Sequence, residues 1–195
     1  LAIGWLLCAA ILGVHQVTPF DIVEAPEVEA LGLPLLLSAS FDAPVITHLH
    51  CCSAIAQKAN LVPDDAERRL INALECAAIH LADLVCAPTQ SVIKATEAFM
   101  PMRENIAIVP HPFECDAAAF VPPPAQGPML FIGRIERLKG VDRIGAALNQ
   151  MLARHPTATF RFIGPDSDSA PGGGSMRQHI QSILSPKVAN RVTFT

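Results

Sequence analysis

Two histidines and two cysteines lie close together in the segment VITHLHCC, residues 45–52. His48 and His50 are one residue apart, and Cys51 and Cys52 follow directly. Imidazole and thiolate groups bind borderline metals, but the same groups also line sites that contact a substrate. A zinc site needs four ligands in tetrahedral geometry, and no second Cys or His pair is spaced to complete one. We therefore expect no metal here and packed roles for both thiols.

A second candidate is the segment GRIERLKG, residues 133–140. Gly133 and Arg134 follow an apolar run, and Lys139 precedes a helical pattern. Glycine lets the backbone pass close to a ligand, and two cations in front of a helix N-terminus suit a diphosphate. A solvated basic turn is the alternative. The charge distribution of the chain favours the anion site.

The segment GPDSDSAPGGGSM, residues 164–176, is the third candidate. Gly173 and Gly174 could cradle a phosphate or simply form a mobile loop, and Ser175 is placed to cap the following helix. No Lys follows the glycines, and no G-x-G-x-x-G turn is present, so ATP and nicotinamide sites lose support.

Short apolar runs alternate with longer periodic ones, which predicts an α/β fold with parallel sheets. The predicted strands are 20–25, 43–50, 84–89, 106–110, 128–133, 158–164 and 191–195, and the main predicted helices are 1–14, 64–81, 89–99, 141–156 and 175–184. The strand 128–133 is expected to be buried, and Asp64 and Thr89 are expected to cap their helices. Since alternate residues of a strand share a face, His48 and His50 should point the same way.

A proline-rich segment divides the chain. Six prolines fall between Pro110 and Pro128, a composition that favours a semi-rigid, extended connector. We therefore predict an N-terminal domain over 1–112, a linker over 113–127 and a C-terminal domain over 128–195.

The charge of the chain is unevenly distributed. The net charge is −4 overall; residues 1–116 hold 5 basic and 14 acidic residues, whereas residues 117–195 hold 9 basic and 4 acidic ones. This balance argues against nucleic-acid binding and places an anion site in the C-terminal part. The six cysteines lack the framework of a secreted disulfide-rich domain, which favours reduced thiols in the cytoplasm. The uncharged opening, 1–14, is short for a membrane helix, and peripheral membrane association stays open.

The ordered set of motifs resembles the retaining glycosyltransferases of family 4. The resemblance rests on FIGRIERLKGVDRIGAAL, ARHPTATFRFIGPD, PGGGSM and RVTFT, preceded by LADLVCAPTQSV and IAIVPHPFE. It implies the GT-B fold, with an acceptor-side Rossmann-like domain, here 1–112, followed by a nucleotide-sugar-binding one, here 128–195. Both domains would be incomplete, because the resemblance implies further segments before the first residue and after the last.

The resemblance also implies roles for individual residues. Arg134 and Lys139, with Gly133, would bind the donor diphosphate in place of a metal ion, and His50 would contact the donor sugar. His48 stands where the family usually has an arginine, and His111 is assigned no role. The reaction implied is transfer of a sugar from a UDP- or GDP-linked donor, with retention, to a sugar, lipid or small-molecule acceptor. No cofactor beyond the nucleotide sugar is expected.

Two other functions remain open at this point: a nucleotide-sugar epimerase of the same fold, and a noncatalytic subunit that binds a sugar nucleotide. The family's two glutamates, eight positions apart, would follow Thr195. We therefore expect the 195 residues to be inactive by themselves.

Overall fold

The computed structural model describes residues 2–114 and 127–195. The chain forms two compact units, one of Leu1–Lys58 and Pro63–Phe113, the other of Ala59–Val62 and Glu114–Thr195. Most of the predicted linker, 113–127, lies outside the described residues.

The first unit contains a sheet of four parallel strands in the order β1-β2-β3-β4. Its strands are β1 Val23–Pro26, β2 Val45–His48, β3 Leu84–Ala87 and β4 Ala107–Ile108. The strands are short and rich in apolar residues, as expected for a parallel sheet. Pro26 pairs in register with His48, and His48 with Cys86, so the carboxyl ends of β1, β2 and β3 lie side by side.

Five α-helices accompany this sheet in the described part of the first unit: α1 Ala2–His15, α2 Leu33–Leu36, α3 Ser53–Ala59, α4 Ala66–Leu81 and α5 Gln90–Glu97. Thr89 caps α5 as predicted, through a hydrogen bond from the amide of Val92. The predicted cap of α4 is wrong by one residue. Asp65, not Asp64, accepts the Arg68 amide at 2.9 Å, while Asp64 pairs with Arg69.

The main core of the first unit lies around the carboxyl half of the sheet. Leu49, Cys52, Ile79 and Ala87 are fully buried in it. Helix α1 packs differently: Gly4 and Cys8 are buried, but outward residues such as Leu6, which is 71% exposed, stay in contact with solvent. None of the helices in residues 2–114 or 127–195 combines the length and hydropathy needed to cross a bilayer.

The second unit contains a sheet of three parallel strands in the order β5-β6-β7. Its elements are β5 Met129–Ile132, α6 Val141–Arg154, β6 Phe160–Ile163, α7 Met176–Ile183, α8 Pro186–Ala189 and β7 Val192–Phe194. Phe162, Leu148, Leu152, Met176 and Ile180 form the centre of its core.

The expectation that the strand at 128–133 is buried is wrong. In β5, Leu130 is 53% exposed and Ile132 is 73% exposed. The reason is the position of β5 at the edge of the described sheet, where Phe131 packs against the core cluster and its neighbours in sequence point the other way.

Candidate functional site

Three imidazole rings lie together at the carboxyl edge of the first sheet. The ring centroids of His48 and His50 are 4.6 Å apart, and that of His111 lies 5.4 Å from His48 and 5.3 Å from His50. The expectation that His48 and His50 point the same way is confirmed. His48 is buried, whereas His50 and His111 are exposed. We call these three residues the imidazole cluster.

Carboxylates from β1 and the residue that follows it hold the cluster in place. Glu24 Oε1 lies 2.7 Å from His48 Nδ1, which assigns a proton to Nδ1 because an ionised carboxylate only accepts hydrogen bonds. Glu27 is fully buried, and its Oε1 accepts the backbone amide of His50 at 2.8 Å. One carboxylate therefore orients a ring of the cluster, and the other positions its backbone.

A second buried carboxylate supports the same region. Glu75 Oε2 accepts the amide of Ser53 at 2.8 Å, and Glu75 Oε1 accepts the amide of Glu29 at 2.7 Å and the Ser53 hydroxyl. Burial raises the pKa of the Glu75 carboxyl, although these hydrogen bonds oppose the shift. Burial also raises the pKa of the Cys52 thiol to about 11. Cys52 is therefore a packed, protonated thiol, as expected from the sequence.

The cluster does not have the form of a metal site. Across residues 2–114 and 127–195, no group of three or more His, Cys, Asp or Glu side chains could hold a metal ion. Cys8, Cys52, Cys76 and Cys86 are free thiols, and Cys115 lies outside the described residues.

In the second unit, the predicted diphosphate residues lie on a short connection from β5 to α6. Gly133 has a φ of 149°, and its amide donates to the Ile163 carbonyl at 2.9 Å. Arg134 follows with a side chain that is 64% exposed, and its Nη2 lies 3.1 Å from Oε1 of the buried Glu136. This contact leaves most of the guanidinium N–H groups open to a ligand.

Lys139 ends the 3₁₀ turn Arg137–Lys139 and is exposed. No described carboxylate pairs with its ammonium group. Gly140 then takes a left-handed φ of 71° and starts α6 without a side-chain cap. The loop therefore offers two cations and the amides of an uncapped helix N-terminus.

Gly133 and Gly164 bring the backbones of the loops after β5 and β6 close together. A Cβ atom built on Gly164, whose φ is 142°, would lie 2.1 Å from the Gly133 carbonyl oxygen. The Ile135 amide donates to the Pro165 carbonyl at 2.8 Å, which continues the contact beyond the strands. The loops after β5 and β6 are thereby joined along their first residues.

The predicted loop of Gly173, Gly174 and Ser175 already has internal partners. The amide of Gly173 donates to the Ala170 carbonyl at 2.8 Å. Ser175 caps α7, as predicted, by accepting the Gln178 amide at 3.0 Å, and its hydroxyl donates to Asp166 Oδ2 at 2.5 Å. A phosphate at this loop would have to exchange with these bonds. Its binding role stays a prediction.

Asp166, on the loop after β6, hydrogen-bonds to the N-terminal turn of α7. Besides Ser175, its carboxylate accepts the Arg177 amide at 2.9 Å. Partial burial opposes ionisation of Asp166, but the hydrogen bonds from Ser175 and from the amides of Arg177 and Ser167 offset it and lower its pKa. The carboxylate therefore acts as a fixed anion at this helix end.

Replacement of Asp166 by Ala should destabilise the second unit by about 1 kcal/mol at pH 7, the usual net value of a lost hydrogen bond. The folded state binds the Asp166 proton less tightly than the unfolded state does. This contribution is therefore full above the usual carboxyl pKa near 4 and is lost as the pH falls through the lowered pKa. Urea unfolding at pH 7 and pH 3 measures both values. Asp168→Ala, at an exposed neighbour, is the control and should change stability at neither pH.

The sequence assigns no role to His111, and it leaves Glu24 and Glu27 as carboxylates that either face an acceptor or are solvated. His111 follows β4, in the motif HPF, and neither its type nor its spacing marked it as a neighbour of His50. Glu27 is a single carboxylate after β1 whose burial no local pattern indicates. The one available signal was position, since both residues follow strands that end at the same edge of the sheet.

No protein-family model and no curated protein sequence matches the chain. Among solved structures, it is similar to sucrose-phosphate synthase from Thermosynechococcus elongatus, with a TM-score of 0.65, 18% identity and coverage of 97% of this chain. It is also similar to TarM, with a TM-score of 0.58, 12% identity and coverage of 96%. The match spans 48% of the first protein and 36% of the second. Both are glycosyltransferases of the GT-B type, and the chain has an α/β fold of that type with parallel sheets.

Proposed function

We propose that the chain is part of a retaining glycosyltransferase of family 4 that moves a sugar from a UDP- or GDP-linked donor to an acceptor. The observation that carries this proposal is the β5–α6 connection. It carries the exposed cations of Arg134 and Lys139, and Lys139 lies directly before the uncapped N-terminus of α6, in a chain with the GT-B fold.

Charge development in the reaction explains the need for these cations. When the bond from the sugar to phosphate breaks, negative charge grows on the departing diphosphate and the anomeric carbon becomes oxocarbenium-like. Prepositioned cations and helix amides stabilise that charge without reorganisation. The ion pair between Arg134 and the buried Glu136, at 3.1 Å, supports this assignment because it restrains one of the two cations. In this proposal the two side chains take the part of a metal ion, so transfer is metal-independent.

His50 is the proposed contact to the donor sugar. Its ring is exposed, while its backbone amide is held by Glu27. An imidazole can donate one hydrogen bond and accept another, which matches a sugar hydroxyl. The acceptor is a sugar, a lipid or a small molecule, and the enzyme works in the cytoplasm, as a free or peripherally membrane-bound protein.

Donor turnover tests this proposal. The natural full-length protein is incubated with UDP-glucose or GDP-mannose, with and without EDTA, and the released nucleotide and sugar products are analysed. We expect nucleotide release that EDTA does not abolish, and a product whose anomeric configuration, read by NMR, equals that of the donor. A product that keeps the nucleotide but changes a sugar hydroxyl would identify an epimerase. Tight nucleotide binding without turnover would identify a noncatalytic subunit.

A further inference from the structure

The imidazole cluster contains one residue that the proposed function leaves unused. His111 lies on the loop after β4. His48 is the last residue of β2, and His50 lies just after that strand. In the sheet, β3 separates β2 from β4. The Val109 amide still donates to the Ala87 carbonyl at 2.9 Å, so the chain follows β3 up to that residue. Within the next two residues it brings an imidazole across the end of β3 to His50.

The two exposed rings of the cluster, His50 and His111, are nearly parallel. The planes of His50 and His111 differ by 9°, at a centroid distance of 5.3 Å. Neither ring has a hydrogen-bond partner for its nitrogens among the residues that the structure describes. Two parallel imidazoles with open nitrogens form a surface that can exchange hydrogen bonds with neighbouring hydroxyl groups.

His48 is the buried base of this surface. It is only 6% exposed, and its Nδ1 is used by Glu24. Its Nε2 is buried without a hydrogen-bond partner in the described part of the chain. A buried polar atom normally has a partner, so Nε2 is a nitrogen that a bound ligand or water can satisfy.

The surrounding charge selects the kind of ligand. Glu24 and the fully buried Glu27 both contact the cluster, and no Lys or Arg of residues 2–114 and 127–195 forms an ion pair with either carboxylate or a hydrogen bond with the three rings. Repulsion by these two carboxylates disfavours a phosphate or a carboxylate ligand. The cluster therefore fits a neutral, hydroxyl-rich group.

We propose that His111 is a second sugar-contacting residue, which binds a hydroxyl group of the hexosyl unit beside His50. This inference rests on the proposed function, because that function places a sugar at His50. The sugar site then contains His111 as well as His50, and the imidazole cluster binds the neutral sugar of the donor and not its diphosphate.

Donor kinetics of His111 variants test the inference. In the full-length protein, His111→Ala should lower kcat/KM for hydrolysis of the accepted donor, UDP-glucose or GDP-mannose, by about fivefold, which corresponds to one hydrogen bond. His111→Gln, which keeps a donor and an acceptor, should recover part of the loss. The dissociation constant of free UDP or GDP should stay within about twofold, because the diphosphate is bound elsewhere.

The matched control is His155→Ala, at an exposed histidine of the second unit whose ring has no described partner. Equal kcat/KM values for His111→Ala, His155→Ala and the wild type would overturn the inference. If the wild type turns over neither donor, the proposed function fails, and the sugar contact of His111 is then tested by binding of a free sugar. Imidazole NMR signals of His50 and His111, but not His155, should then shift on addition of methyl glucoside or methyl mannoside. The absence of any selective shift would overturn the sugar contact.

Discussion

Replacement of Arg134 by Ala is expected to lower kcat for sugar transfer by about 100- to 1000-fold, the usual cost of losing one preorganised group that stabilises transition-state charge. The guanidinium follows β5 directly and is exposed apart from its contact with Glu136. Its N–H groups are therefore available to the proposed donor diphosphate, whose charge would be largest when the sugar has left. Steady-state kinetics with UDP- and GDP-linked donors measure the loss, and calorimetry with UDP and GDP measures the change in nucleotide binding.

Two further variants separate this role from a general effect of charge. Arg134→Lys keeps one positive charge but loses the forked geometry, so it should recover only part of the activity. Arg143→Ala removes an exposed arginine on the next helix, α6, and should leave kcat within about twofold, as is usual for surface charges. Equal nucleotide affinity and equal kcat for Arg134→Ala and the wild type would remove the diphosphate assignment.

Replacement of Gly164 by Ala is expected to destabilise the second unit by about 3 kcal/mol or more. Two effects add: the alanine must adopt a backbone conformation that only glycine adopts easily, and its methyl group overpacks the contact. The new Cβ would lie 2.1 Å from the carbonyl oxygen of Gly133, a backbone atom that cannot rotate away. Relief requires separation of the loops after β5 and β6. Because Gly133 precedes Arg134, the same shift would displace the proposed diphosphate site. Urea unfolding measures the first effect and nucleotide affinity the second.

Gly172→Ala is the matched control for Gly164. Gly172 also has a positive φ, 88°, but a Cβ atom there would have no neighbour within 4 Å. Backbone strain alone should then cost about 1 kcal/mol, without a change in nucleotide affinity. Similar losses of stability for the two variants would contradict the proposed close contact between the loops.

The helices and their caps were the most predictable part of the fold. The helix α6 was predicted over 141–156 and is observed at Val141–Arg154, and Thr89 and Ser175 cap their helices as expected. These features depend on hydrogen bonds and apolar spacing within a few residues. The error at α4 has the same local origin, because adjacent aspartates at 64 and 65 can each serve as a cap.

The burial of single side chains was less predictable. The apolar run at β5 is typical of a buried strand, yet Ile132 is largely exposed. Burial depends on which strands and helices lie beside a segment, and no local pattern contains that information. Glu27 shows the opposite case. It is a carboxylate that the fold buries completely, with its Oε1 accepting the His50 amide.

By itself, the sequence determined the alternation of strands and helices, the parallel sheets that this alternation requires, and the segments that follow the strands, including Arg134, Lys139 and His50. Those properties arise from interactions between residues close in the chain. Only the tertiary structure decided which of these segments meet, because the order of strands in a sheet sets the neighbours of each loop. That order brings His111 to His50, and it brings Gly164 against Gly133.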